Sequence, residues 1–118
     1  MTPKEEAHFR VLRILEKNPE ITQRELARLM GLSLGKANYV VNALLDKGVI
    51  KVENFRRSDI KLRKIAYLLT SAGISERIRL TQTYLARKRL EYEVLKAEIE
   101  SLQQDAQSEI ADPERGRP

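Results

Sequence analysis

Residues 22–48, TQRELARLMGLSLGKANYVVNALLDKG, decide the fold. Thr22 is a helix-capping residue, and Glu25 follows at the spacing of a capping box. Leu26, Ala27, Leu29 and Met30 are the apolar residues of the short helix that opens there. Gly31 is placed to end that helix in a left-handed conformation. Ser33 starts another helix, which runs to about Lys47 and stops at Gly48. Two helices joined by a turn of about three residues have helix-turn-helix spacing.

A wheel drawn at about 100° per residue divides the later helix into two faces. Ala37, Val40, Val41 and Leu44 fall on the core side. Gly35, Asn38, Tyr39 and Asn42 fall on the other, with Lys36 on the flank and Asp46 as counter-charge near the far end. Asn side chains pair with adenine through two hydrogen bonds in the major groove. Gly35 lets the backbone approach a phosphate, and the Ser33 hydroxyl and the free N–H groups at the helix start favour one. The expected DNA-reading set is therefore Ser33, Gly35, Lys36, Asn38, Tyr39 and Asn42.

Upstream, Thr2-Pro3-Lys4-Glu5 is a helix start with a cap, a first-turn proline and a capping-box glutamate. Ala7, Val11, Leu12, Ile14 and Leu15 give its apolar stripe, and Asn18-Pro19 stops it. His8 is expected at the helix surface or boundary. Downstream the period changes. Val49–Phe55 and Ile65–Leu69 read as strands around a basic loop, residues 56–64. Such a hairpin after a helix-turn-helix is a wing. Arg56, Arg57, Lys61, Arg63 and Lys64, against the single acid Asp59, are its expected phosphate contacts.

Thr70 caps a last, long helix. Ile78, Leu85, Tyr92, Ile99 and Ala106 alternate with Ile74, Thr81, Lys88, Leu95 and Leu102 at spacings of four and three. That is the rhythm of a coiled-coil seam, weakened in the middle by Thr81 and Lys88. Nearly 40 residues at 1.5 Å each make a helix of roughly 55–60 Å. A domain this small cannot cover such a stripe, so a partner helix is expected. Ile74, Ile78, Leu85, Tyr92, Leu95, Ile99 and Leu102 are its contact residues. Glu91 would face the partner's Lys96 in a parallel pair, which favours that orientation.

The fold class is mainly α with a small β-hairpin: a winged helix-turn-helix over residues 1–70, a long dimerisation helix over 71–110, and a disordered tail over 111–118. Of the 118 residues, 42% are hydrophobic and 33% charged, which suits long exposed helices around a modest core. Residues 1–92 hold 19 basic and 10 acidic residues, while residues 93–118 hold 3 and 7. A basic body points to a polyanionic partner. There is no cysteine and one histidine, so no disulfide, thiolate or metal site is expected, and no cofactor. The N-terminus is not a signal peptide and no run is long enough to span a membrane, so a cytoplasmic protein is expected.

Several runs are similar to MarR-type winged-helix regulators. They are Gln23–Ala27, Gly31–Lys36, Leu44–Gly48 and Tyr67–Gly73, the last matching that family's Leu-Thr-x-x-Gly segment. Ser33-Leu34-Gly35-Lys36-Ala37-Asn38-Tyr39 and Arg87–Glu93 resemble an exopolysaccharide-associated subgroup. The resemblance covers roughly residues 8–102. It implies a bacterial, sequence-specific DNA-binding transcription regulator working as a homodimer. The third helix would lie in the major groove and the wing on the flanking minor groove. By position, Arg63 matches the family's wing arginine. The family's acidic residue two places earlier is Lys61 here, so the usual wing-bracing ion pair is missing unless Asp59 replaces it. Larger members carry an extra dimerising helix ahead of the first; this sequence starts almost directly on the DNA-binding unit. No effector is assigned.

Enzyme chemistry is not expected, because there is no phosphate loop, metal cluster or nucleophile with a base. The alternative class is a protein-interaction adaptor whose basic face is incidental. RNA binding is disfavoured by the 5% aromatic content, which offers few stacking platforms.

Overall fold

Each helix start is fixed by a hydroxyl. The computed structural model describes residues 1–56 and 63–111, with the backbone alone at residues 55, 56, 63 and 64. In chain order the elements are α1 (Pro3–Lys17), α2 (Gln23–Met30), α3 (Leu34–Asp46), β1 (Ile50–Arg56), β2 (Arg63–Leu69) and α4 (Ser71–Ala111). Thr2, Thr22 and Ser33 cap α1, α2 and α3, each accepting the backbone N–H three residues on. Thr70 Oγ1 does the same for α4, accepting from the Gly73 N–H at 3.1 Å. The box at Thr2 is complete, with the Glu5 carboxylate accepting from the Thr2 N–H. The expected box at Thr22 is only half made. Glu25 pairs instead with Arg28, one turn on, because a charged guanidinium outcompetes a neutral N–H for the carboxylate. Gly31 (φ 66°) and Gly48 (φ 73°) end α2 and α3 in the left-handed region.

The compact unit spans Met1–Tyr84. Its core joins Phe9, Leu12 and Leu15 of α1 to Leu26 and Met30 of α2, Val41 and Leu44 of α3, and Val49, Ile50 and Tyr67 of the hairpin. The first turns of α4 belong to it as well. Leu80 is fully buried, and the Tyr84 ring lies 4.9 Å from that of Phe9. A division after residue 70 would leave Gly73 and Leu80 with the long helix, yet both are buried in this unit. Truncating any of the fully buried leucines, Leu12, Leu15, Leu26, Leu44 or Leu80, costs about 2–5 kcal/mol.

His8, expected at the helix surface or boundary, is instead buried: it is 6% exposed. The α1 stripe is wider than the apolar residues alone indicate, and an imidazole is compatible with its edge. Burial pushes the His8 imidazole below its ordinary range, and Lys47 and Lys4 push it further down.

The two strands pair antiparallel from Ile50↔Leu69 to Arg56↔Arg63. The ladder therefore reaches further toward the turn than the apolar alternation indicates. Arg56, Arg63 and Lys64 belong to strands and not to a loop, because ladder hydrogen bonds need extended backbone and no apolar side chain. Residues 57–62 lie outside the described residues.

The second unit begins at Leu85 and consists of the remainder of α4. Leu85, Tyr92, Leu95, Ile99 and Leu102 lie on one side of it, each between 45% and 61% exposed. Ala111 is still helical, and of the expected tail residues 112–118 lie outside the described residues. Among the described residues no helix is long and apolar enough to cross a membrane.

Candidate nucleic-acid interface

The outward face of α3 follows from what its inward face buries. Ala37, Val41 and Leu44 are at most 1% exposed and Val40 is half-buried, which turns Gly35, Asn38, Tyr39 and Asn42 to solvent. Tyr39 is 76% exposed, far more than an aromatic ring needs for packing. Lys36 is exposed on the flank. Space is open around Gly35, where a Cβ would meet nothing within 4 Å.

At the start of α3, Ser33 Oγ accepts from the Lys36 N–H at 3.2 Å and the Ser33 carbonyl accepts from Ala37 at 3.0 Å. The Ser33 hydroxyl keeps its proton to donate. The N–H groups of Leu34 and Gly35 come before that of Ala37, the first to have an intrahelical acceptor. This corner is thus a donor-rich helix N-terminus at the solvent face, suited to a phosphate.

The two asparagines are not independent. Asn42 Nδ2 donates to Asn38 Oδ1 at 2.9 Å, and Asn38 Nδ2 donates to Gln23 Oε1 at 2.9 Å. Gln23 Nε2 donates in turn to the Tyr67 hydroxyl at 2.9 Å. Gln23 and Tyr67 were not among the expected site residues. The signal for Gln23 is local, since it is the first residue of α2 and faces the helix that follows. Tyr67 lies 44 residues away on β2, and nothing in the local pattern links the two.

The fold is a winged helix. The family model for winged helix-turn-helix DNA-binding matches residues 4–51. Among solved structures, the PcaV transcriptional regulator of Streptomyces coelicolor with its natural ligand superposes with a TM-score of 0.62, at 22% identity over 95% of this chain and 75% of that one. The MarR family protein Rv2887 of Mycobacterium tuberculosis, in complex with salicylic acid, gives 0.59 at 23% identity over 81% and 75%. A mutant of MepR from S. aureus bound to an oligodeoxyribonucleotide gives 0.56 at 17% identity over 90% and 80%. No curated protein matches the sequence.

Of the wing candidates, Arg56 and Arg63 are cross-strand partners at the hairpin's far end, and Lys64 opposes Phe55. Arg57 and Lys61 lie outside the described residues, as does Asp59. On α4, the seam candidates Ile74 and Ile78 are exposed like those further along. Thr81 turns its hydroxyl inward, donating to the Arg77 carbonyl at 2.7 Å. Lys88 pairs with Glu91 at 3.1 Å and Arg87 with the same carboxylate at 3.4 Å, so Glu91 is held within its own helix. Among the described residues no group of three or more His, Asp or Glu could hold a metal ion.

Proposed function

We propose that this chain is a MarR-type transcription regulator that binds double-stranded DNA selectively, as a homodimer joined through α4. The observation that carries the reading is the outward face of α3. It presents an open glycine, two asparagines and an exposed tyrosine opposite the buried Ala37, Val41 and Leu44, beside a donor-rich helix start. A purely solvated face is richer in Lys and Glu. Amides and a phenol are groups that read base edges. The basic residues Arg56, Arg57, Lys61, Arg63 and Lys64 of the hairpin then supply phosphate contacts.

The homodimer reading rests on the apolar side of α4 from Leu85 to Leu102, which one chain leaves in water. The exopolysaccharide-associated subgroup rests on Ser33–Tyr39 and Arg87–Glu93, and makes exopolysaccharide genes the proposed targets. This role needs no catalytic step and no cofactor, and it is exercised in the cytoplasm with the DNA.

Fluorescence anisotropy tests it. Duplex from the gene's own upstream region is titrated beside a shuffled duplex at two salt concentrations. Tighter binding of the native duplex at both salts is the expected result. Equal binding that vanishes with salt would leave the basic face without a reading role and favour a protein-interaction adaptor.

A further inference from the structure

We propose that Gln23 and Tyr67 are positioning residues for base reading, holding the Asn42 amide in one orientation through a relay anchored in the wing strand; this rests on the DNA-binding function proposed above. The relay has three hydrogen bonds, each 2.9 Å long and each donated in the same sense: Asn42 to Asn38, Asn38 to Gln23, Gln23 to Tyr67. Its anchor is fixed twice over. Tyr67 is 9% exposed, and its backbone N–H donates to the Pro19 carbonyl at 2.9 Å. Its other end, Asn42, is exposed on the outward face of α3.

The direction of the relay assigns different jobs to the two asparagines. Asn38 donates from one end of its amide and accepts at the other, so it supports its neighbour. Asn42 spends one Nδ2 hydrogen and keeps Oδ1 and the second hydrogen. A coplanar acceptor and donor complement adenine at N6 and N7 in the major groove. An exposed Asn without support samples several rotamers, and a reading group has to be held by the residues behind it. The relay also ties the recognition helix to the strand that carries the wing. Base reading and wing placement therefore share one element, β2.

The test uses the full chain and a pool of randomised duplexes. Wild type, Asn42→Ala, Tyr67→Phe and Gln23→Met are each taken through selection, and base preferences are compared position by position. Asn42→Ala is expected to erase preference at one base pair per half-site. Tyr67→Phe and Gln23→Met are expected to weaken preference at that same pair by roughly five-fold, the lower end of what a bidentate base contact supplies. Their salt slope stays that of the wild type, because no phosphate contact is touched. The Asn42 side-chain amide signals in a two-dimensional NMR spectrum of the free protein should move in both variants. Unmoved signals, or a preference identical to wild type, would overturn the relay. So would an even loss at every position accompanied by a lower Tm, which is what a merely structural role gives. If the wild type enriches no sequence at all, the DNA-binding function fails first and the relay's reading role with it.

Discussion

A Cβ placed on Gly73 would lie 1.8 Å from the Val49 carbonyl oxygen and 2.9 Å from its carbon. The start of α4 thus sits directly on the backbone that leads into β1. The contact is with backbone, which cannot rotate away. Gly73→Ala is therefore expected to destabilise the chain by about 2 kcal/mol or more, although alanine is the better helix former by about 1 kcal/mol. Urea denaturation measures it, and an unchanged midpoint would refute the contact.

The recognition face makes a separate prediction. Tyr39→Ala and Asn42→Ala should each cut discrimination between the native and a shuffled duplex by about 1–3 kcal/mol. Both side chains are exposed, so Tm should hold within a degree or two. Anisotropy on the two duplexes gives the first quantity and a thermal melt the second. Intact preference in both variants would mean that another face reads the DNA.

Wing substitutions should behave differently. Arg57→Ala and Lys61→Ala are expected to weaken native and shuffled duplexes alike, and each should lower the salt slope by about one. A change confined to the native duplex would assign these residues to base reading.

For the α4 seam the measurement is mass in solution. Leu95 and Ile99 are exposed in the single chain, so charging them leaves the core alone. Light scattering at tens of micromolar should give a dimer for the wild type and a monomer for the Leu95→Lys, Ile99→Lys double variant, with the Tm of the Met1–Tyr84 unit kept. A monomeric wild type would refute the dimer.

His8 predicts a pH dependence. Burial, then Lys47 and Lys4, hold its folded value below the ordinary 6.5; Glu76 and Glu5 oppose this more weakly. Between that lowered value and 6.5 the unfolded chain binds more protons, so stability rises with pH across this window. It is full above about 6.5 and is lost as pH falls toward the folded value. Glu5, Glu25 and Glu76 are held low by hydrogen bonds from the Thr2 backbone, Arg28 and Arg79 respectively, so their loss comes in more acid, below 4.5. Thermal melts from pH 7.5 to 5 should slope for the wild type and flatten for His8→Gln.

What was legible in the sequence was local. Thr2, Thr22, Ser33 and Gly31 announce helix ends within three or four residues, and the 3.6-residue period sorts Ala37, Val41 and Leu44 from Asn38, Tyr39 and Asn42. What escaped was set by partners distant in sequence or by backbone alone. The ladder runs on to Arg56 and Arg63 with no apolar signal. Glu25 had two possible partners, and charge chose Arg28. His8 is buried although it is polar, which the apolar pattern of α1 does not mark. The relay joins Gln23 to a residue 44 positions on, and the fold alone brings them together.

The Thr70 hydroxyl works in both directions: it donates to the Gly48 carbonyl at 2.7 Å and accepts from the Gly73 N–H at 3.1 Å. One oxygen therefore closes the end of α3 and opens α4. Valine has the shape without the atom, and aspartate accepts without donating. A saturation library at this position, sorted for folded protein, should return threonine first and serine next. For anyone redesigning the chain, residue 70 is a place where the choice of side chain is all but made.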